Sequence, residues 1–129
     1  MSKPKVSDGN SRREELRKRM KAERHGEISK THELLIREDP EFAEKYDDLF
    51  ALLMTEDRTL SIHTKELIVM GMLAVKGQYG ALKMHIQRAL KVGVTQAEIV
   101  EMLEVAMMYG GTESMIHGGL ALLETLESK

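Results

Sequence analysis

The chain has 129 residues, 42% of them apolar and 31% charged, the balance of one soluble globular domain. It contains no cysteine, which excludes disulfides, thiolate metal sites and cysteine nucleophiles. Net charge is −2 but unevenly spread. Residues 1–26 hold nine Lys/Arg against four Asp/Glu, a net of +5, and the rest holds ten against seventeen, a net of −7.

Residues 1–10, with Pro4, Ser7, Gly9 and Asn10, read as a trailing start with no apolar run of a secretory signal. Ser11 to Arg24 predicts a charged helix broken at Gly26, so residues 1–26 form a charged N-terminal arm and residues 27–129 a single helical domain. A basic arm on an acidic body suggests nucleic acid. This arm, however, has no aromatic residue and carries Glu14, Glu15 and Glu23. The expectation is a helix that packs on a neighbouring acidic subunit or keeps the protein soluble, not a nucleic-acid binder.

Lys30 to Glu38 predicts a second helix, and Asp39-Pro40 restarts the chain with a cap and a proline suited to the first helical position. That helix runs to about Met54, with Phe42, Tyr46, Leu49, Phe50 and Leu53 at helical spacing. Thr64 to Val75 follows, apolar all round after Glu66, and a helix with no polar face belongs inside a bundle or an oligomer. The segment Lys76 to Gly80 breaks it, and Ala81 to Val92 is the next helix, ended by Gly93. Thr95-Gln96-Ala97-Glu98 is a capping box opening a helix that buries Ile99, Met102, Leu103, Ala106 and Met107. After Gly110-Gly111, a last helix from Thr112 to Leu126 is expected to turn Ile116, Leu120, Leu123 and Leu126 inward. Nothing alternates with period two, so the fold is all-α. The longest apolar run, Leu67 to Val75, is too short to span a bilayer. A cytoplasmic protein is the expectation.

The residues that carry chemistry flank the break at Gly77 to Gly80. If the two helices fold back antiparallel, Glu66 and His85 differ by roughly 7 Å along the axis, which long side chains and helix tilt can close. Gln78, Ala81 and His85 share one helix face. A carboxylate beside a half-buried imidazole fixes its tautomer and raises its basicity, the construction of a general acid–base. The same pattern also describes a core histidine satisfied by one partner, and spacing leaves both open. His117 either reaches a pocket or packs near a helix end. His25 and His32 lie in charged surroundings and receive no role. No His-x-x-x-His, Glu-x-x-His or Asp-rich loop appears, so no protein-bound metal is expected.

Lys65-Glu66-Leu67-Ile68, Leu82-Lys83-Met84-His85, Gly93-Val94-Thr95 with Glu98-Ile99, and Tyr109-Gly110 together resemble the carboxymuconolactone decarboxylase and alkylhydroperoxidase D-like family, from Leu60 to about Leu123. In the peroxidase branch two thiols stand between the Glu and the His. Here those positions are Gln78 and Ala81, which cannot attack or resolve a peroxide. The chain looks closer to the decarboxylase branch, with its Leu-x-x-His-Thr-basic segment at Leu60 to Lys65. It departs from that branch in having Gln87 where an Arg is frequent, with Arg88 one position later on another part of the helix, and in lacking a Pro after Tyr109.

The resemblance implies an oligomeric helical bundle of about six helices, assembled as a homotrimer or homohexamer, with a site near subunit interfaces. It also implies a cofactor-free lyase acting on a small carboxylated lactone or related organic acid. His85 would be the proton donor and Glu66 its orienting partner. His63 would contact an oxyanion or carboxylate, and Gln78, Ala81 and His117 would border the substrate. Two alternatives stay open: a peroxidase-type antioxidant function at family level, and a non-catalytic oligomeric binding protein.

Overall fold

The computed structural model describes residues 5–128, with side chains from residue 9. All regular structure among the described residues is helical, in seven helices rather than about six. They are α1 (Lys5–Glu23), α2 (Lys30–Glu38), α3 (Pro40–Met54), α4 (Ile62–Lys76), α5 (Tyr79–Lys91), α6 (Gln96–Gly110) and α7 (Glu113–Glu127). No helix is long and apolar enough to cross a membrane among these residues. They form two compact units, α1 to α3 and α4 to α7, divided between Glu56 and Asp57.

In the first unit the expected trailing start is helical from Lys5, and residues 1–4 lie outside the described residues. Gly9 and Asn10 weaken a helix without stopping it, unlike an internal proline. The helix expected to be a separate arm instead packs Leu16 and Met20 against Ile36 of α2 and Ala43 of α3. Its positive charge is answered within the unit: Arg12 pairs with Glu44 at 2.7 Å and Arg17 with Glu33 at 2.8 Å. Ser29 caps α2 in a reciprocal box, its hydroxyl accepting from the His32 N–H while His32 Nδ1 accepts from the Ser29 N–H. Asp39 accepts from the Phe42 N–H at the start of α3, with Pro40 behind it as expected.

The inward face of α3 carries a charge beside Ala43. Asp47, fully buried, accepts from Arg19 Nε at 2.6 Å and Arg24 Nη1 at 2.8 Å. The Arg24 guanidinium, itself buried, lies 3.7 Å from the centroid of the Phe50 ring. Turning Asp47 inward leaves Phe42, Leu49 and Leu53 exposed. Burial above all, with the neighbouring Asp47, pushes the Glu23 carboxyl up to about 7.

In the second unit the helices pack in ring order α4, α5, α7, α6, and α4 also meets α7 across the ring. Ser61 caps α4 through the Thr64 N–H. Gly77, at φ 75°, ends α4 in the left-handed region and lets the chain turn straight into α5. The Thr95–Glu98 box opens α6 as expected. The core is Met70, Ala74, Leu82, Ile86, Ala89, Val94, Ile99, Leu103, Ala106, Ala121 and Leu122.

The inward face of α7 is not the expected one. Ile116, Leu120 and Leu123 are about half exposed, and Ser114, Gly118, Ala121, Leu122 and Thr125 are buried instead. Small residues win because α7 comes in close. A Cβ added at Gly118 would lie 2.5 Å from Leu103 Cδ2 and 3.5 Å from Leu82 Cδ2. The buried Thr125 hydroxyl donates to the Ala121 carbonyl, so it costs little to bury.

Two measurements check the buried charge cluster. Asp47→Ala leaves Arg24 buried without its carboxylate, and amide exchange in α1 to α3 should show about 3–5 kcal/mol less protection, with α4 to α7 much less affected. Because the Glu23 carboxyl is raised in the folded unit, its stabilising contribution is complete at acid pH and is lost as pH rises through about 7. Intrinsic-rate-corrected protection in α1 to α3 should fall over that range, and Glu23→Gln should abolish the fall.

Candidate functional site

Folding α5 back onto α4 brings Glu66 and His85 together. Glu66 shares the buried face of α4 with Met70 and Ala74, and is itself only 7% exposed. His85 stands on α5 among Leu82, Ile86 and Ala89, half-buried. Its Nδ1 lies 3.6 Å from Glu66 Oε1. That is too long for a hydrogen bond. Both atoms are buried and neither has a hydrogen-bond partner.

Buried polar atoms left unsatisfied are costly for folding, so a fold seldom retains them without a use. Here the pair holds a carboxylate ready to balance an imidazolium, at a distance that a few tenths of an ångström would convert into a hydrogen bond. Such gaps in an empty site tighten when a reactant binds. The arrangement can therefore hold a proton on the imidazole and stabilise the charge that comes with it.

The other two histidines singled out from the sequence have carboxylate partners of their own. His63 Nε2 lies 2.8 Å from Glu98 Oε2. The other Glu98 oxygen accepts from the Thr95 N–H at 2.8 Å and from the Thr95 hydroxyl at 3.0 Å. The Thr95 N–H first, then His63, holds the Glu98 carboxyl below its ordinary range. In the sequence Glu98 reads only as a capping residue. Nothing local shows that it also holds a histidine 35 positions away.

His117 Nε2 lies 2.8 Å from Glu113 Oε1, one turn back on α7, and its ring sits 4.9 Å from the Tyr79 ring. The Tyr79 hydroxyl donates to the Glu113 carbonyl at 3.3 Å. These contacts tie the start of α5 to the start of α7. Gln78 is exposed at the start of α5 and makes no side-chain cap, and Ala81 is half-buried one turn before His85. Gln87 is exposed, whereas Arg88 is buried at the edge of the core. Among the described residues, no group of three or more His, Asp or Glu is placed to hold a metal ion.

A separate groove of about 800 Å³ runs between α4 and α6, and neither Glu66 nor His85 lines it. It lies across α4 from them: Ile68, Met72 and Val75 fall on the face away from Glu66, Met70 and Ala74.

No curated protein and no solved structure matches the chain. Residues 40–124, roughly two thirds of its length, match the carboxymuconolactone decarboxylase family. A match of that extent, running from α3 to α7 over the helices that carry Glu66 and His85, makes this chain a member of that family.

Proposed function

We propose that the protein is a decarboxylase-like lyase acting without a cofactor on a small carboxylated, unsaturated lactone or a related organic acid. The observation that carries this reading is the buried pair of unpartnered atoms, Glu66 Oε1 and His85 Nδ1, 3.6 Å apart. In the reaction the bond from the ring carbon to the carboxylate breaks, CO2 leaves, and the electron pair moves into the conjugated lactone as an enolate. A protonated His85 then delivers a proton to carbon and is reprotonated from solvent. Glu66 orients the imidazole and balances its positive charge, which makes it a positioning residue. His63 reaches the enolate oxygen or a substrate carboxylate only by parting from Glu98, so its role is secondary. The self-association implied by the family resemblance belongs to this reading.

A peroxidase reading has less support. Gln78 and Ala81 stand where sulfur would be needed, and methionine gives no turnover with peroxide unless a reductase restores it. Thiol-dependent turnover of a hydroperoxide by the purified protein would reverse that ranking.

The direct test follows CO2 release from 4-carboxymuconolactone. Wild-type protein should release it, and His85→Ala should lower kcat by about 10²–10⁴. No release by the wild type rejects this substrate, and equal release by the variant rejects His85 as proton donor. A stability measurement separates function from structure at Glu66. Because this carboxylate is buried with an unsatisfied oxygen that makes no hydrogen bond to His85, Glu66→Met should leave stability in urea denaturation unchanged or raised, while activity falls. A loss of stability would mark the pair as structural.

A further inference from the structure

Two carboxyls of the first unit meet the same two guanidinium groups, but not equally. Arg19 Nε stands 2.6 Å from Asp47 Oδ2 and 3.4 Å from Glu23 Oε2. Arg24 Nη1 stands 2.8 Å from Asp47 Oδ1 and 3.6 Å from Glu23 Oε1. Glu23 is the one held back in both cases. Its Oε1 and Arg24 Nη2 are buried, and neither has a hydrogen-bond partner.

An ionised carboxylate beside two guanidinium groups is drawn onto them, because charge-assisted hydrogen bonds are short. A neutral carboxyl has a proton to give instead, and the acceptor beside Glu23 is Asp47. Burial opposes charge on Asp47, yet its hydrogen bonds with Glu23, Arg24 and Arg19 hold its carboxyl below the ordinary range. Two carboxyls in such contact share one proton rather than ionise together. The charged groups facing Glu23 are Arg19 and Arg24 at the end of α1 and Asp47 of α3, with Asp48 beyond Arg19. α2 brings no charged side chain within ion-pair distance of Glu23 among the described residues.

Arg24 also governs the backbone that follows. Its Nη1 donates to the Met20 carbonyl one turn back, and its guanidinium lies over the Phe50 ring. His25, the next residue, sits at φ 59°, where a side chain crowds the following carbonyl. The His25 N–H donates to the Ala22 carbonyl at 3.3 Å and the Gly26 N–H to the Lys21 carbonyl at 3.0 Å, closing α1 there. A residue with a side chain keeps such a conformation only where its surroundings fix it. Arg24, held on Asp47, is the fixed point beside it.

We propose that Glu23 and Asp47 form a one-proton switch that sets the end of α1. With the proton in place, Glu23 donates to Asp47, Arg24 stays on Asp47 over Phe50, and the turn at His25 is held. When the proton passes to solvent, two carboxylates face each other. Glu23 Oε1 then takes Arg24 Nη2, the guanidinium turns away from the Phe50 ring, and the His25 turn relaxes. The held arrangement carries one more proton than the relaxed one. It is therefore favoured by acid and gives way as pH rises towards about 7, without unfolding of the unit.

The experiment is NMR of the full chain between roughly pH 4 and pH 9, reading carboxyl carbons, the Phe50 ring and the Gly26 amide. The Glu23 carboxyl should titrate at least about one pH unit above an ordinary glutamate, with Asp47 responding over the same range. The Phe50 ring and the Gly26 amide should shift with the same midpoint. Glu23→Gln keeps a donor for Asp47 but has no proton to lose, so both shifts should vanish in it. Shifts that persist in this variant belong to another group, such as His25, and overturn the proposal. So does a Glu23 that titrates in the ordinary range. A Glu23 that titrates high while Phe50 and Gly26 stay still also overturns it, leaving a buried acid that moves nothing. If Glu23→Gln fails to fold, the wild-type curves decide.

Discussion

Only Gly77 and Gln78 separate α4 from α5, and this short link constrains everything in the second unit. Two residues cannot carry the chain to another layer, so α5 must return along α4. Gly77 makes the turn possible by taking a left-handed conformation at no steric cost. The return fixes which side of α4 is covered. It places Glu66 against His85 and, by the same act, turns Ile68, Met72 and Val75 away from the bundle. The candidate site and the uncovered face are thus two consequences of one turn.

Both units bury charged groups, and both leave some of their atoms without a hydrogen-bond partner. Around Asp47 two guanidinium donors reach one carboxylate and an aromatic ring lies beneath Arg24, while Arg24 Nη2 and Glu23 Oε1 stay buried without a hydrogen-bond partner. Such a cluster specifies how three short helices meet, at a desolvation cost that close hydrogen bonding offsets. Around Glu66 the second unit supplies no guanidinium donor. Its carboxylate oxygen and the facing imidazole nitrogen are both buried and both unused. Glu66 and His85 face each other with both atoms unpartnered at 3.6 Å, and that is the physical reason to attach chemistry to them.

Reading the sequence located most helices because their ends carry strong local chemistry. Asp39-Pro40, Gly77, Gly93 and the Thr95–Glu98 box each act within four residues, so the chain itself announces them. Faces were harder to read. Hydrophobic spacing on α7 pointed to Ile116, Leu120 and Leu123, and on α3 to the row from Phe42 to Leu53, yet both rows are largely exposed. In α7 the close approach at Gly118 leaves no room for a side chain at that position, and the inner face falls on Ser114, Gly118, Ala121, Leu122 and Thr125. In α3 the attraction of Asp47 for two arginines of α1 and its following turn outweighs the burial of an apolar row. Either preference depends on what stands opposite, which periodicity does not record.

By itself, the sequence determined the all-helical class, the break between α4 and α5, the family and the candidacy of Glu66 and His85, because these follow from short-range spacing and residue type. It also ruled out thiol chemistry by lacking sulfur of that kind. Tertiary structure alone decided that the Glu66 and His85 atoms meet at 3.6 Å without bonding, that His63 belongs to Glu98, and that α1 folds onto α2 and α3. It also chose which side of α4 stays open. Each of these joins residues on different helices, and their separation is set by how closely side chains let the backbones approach.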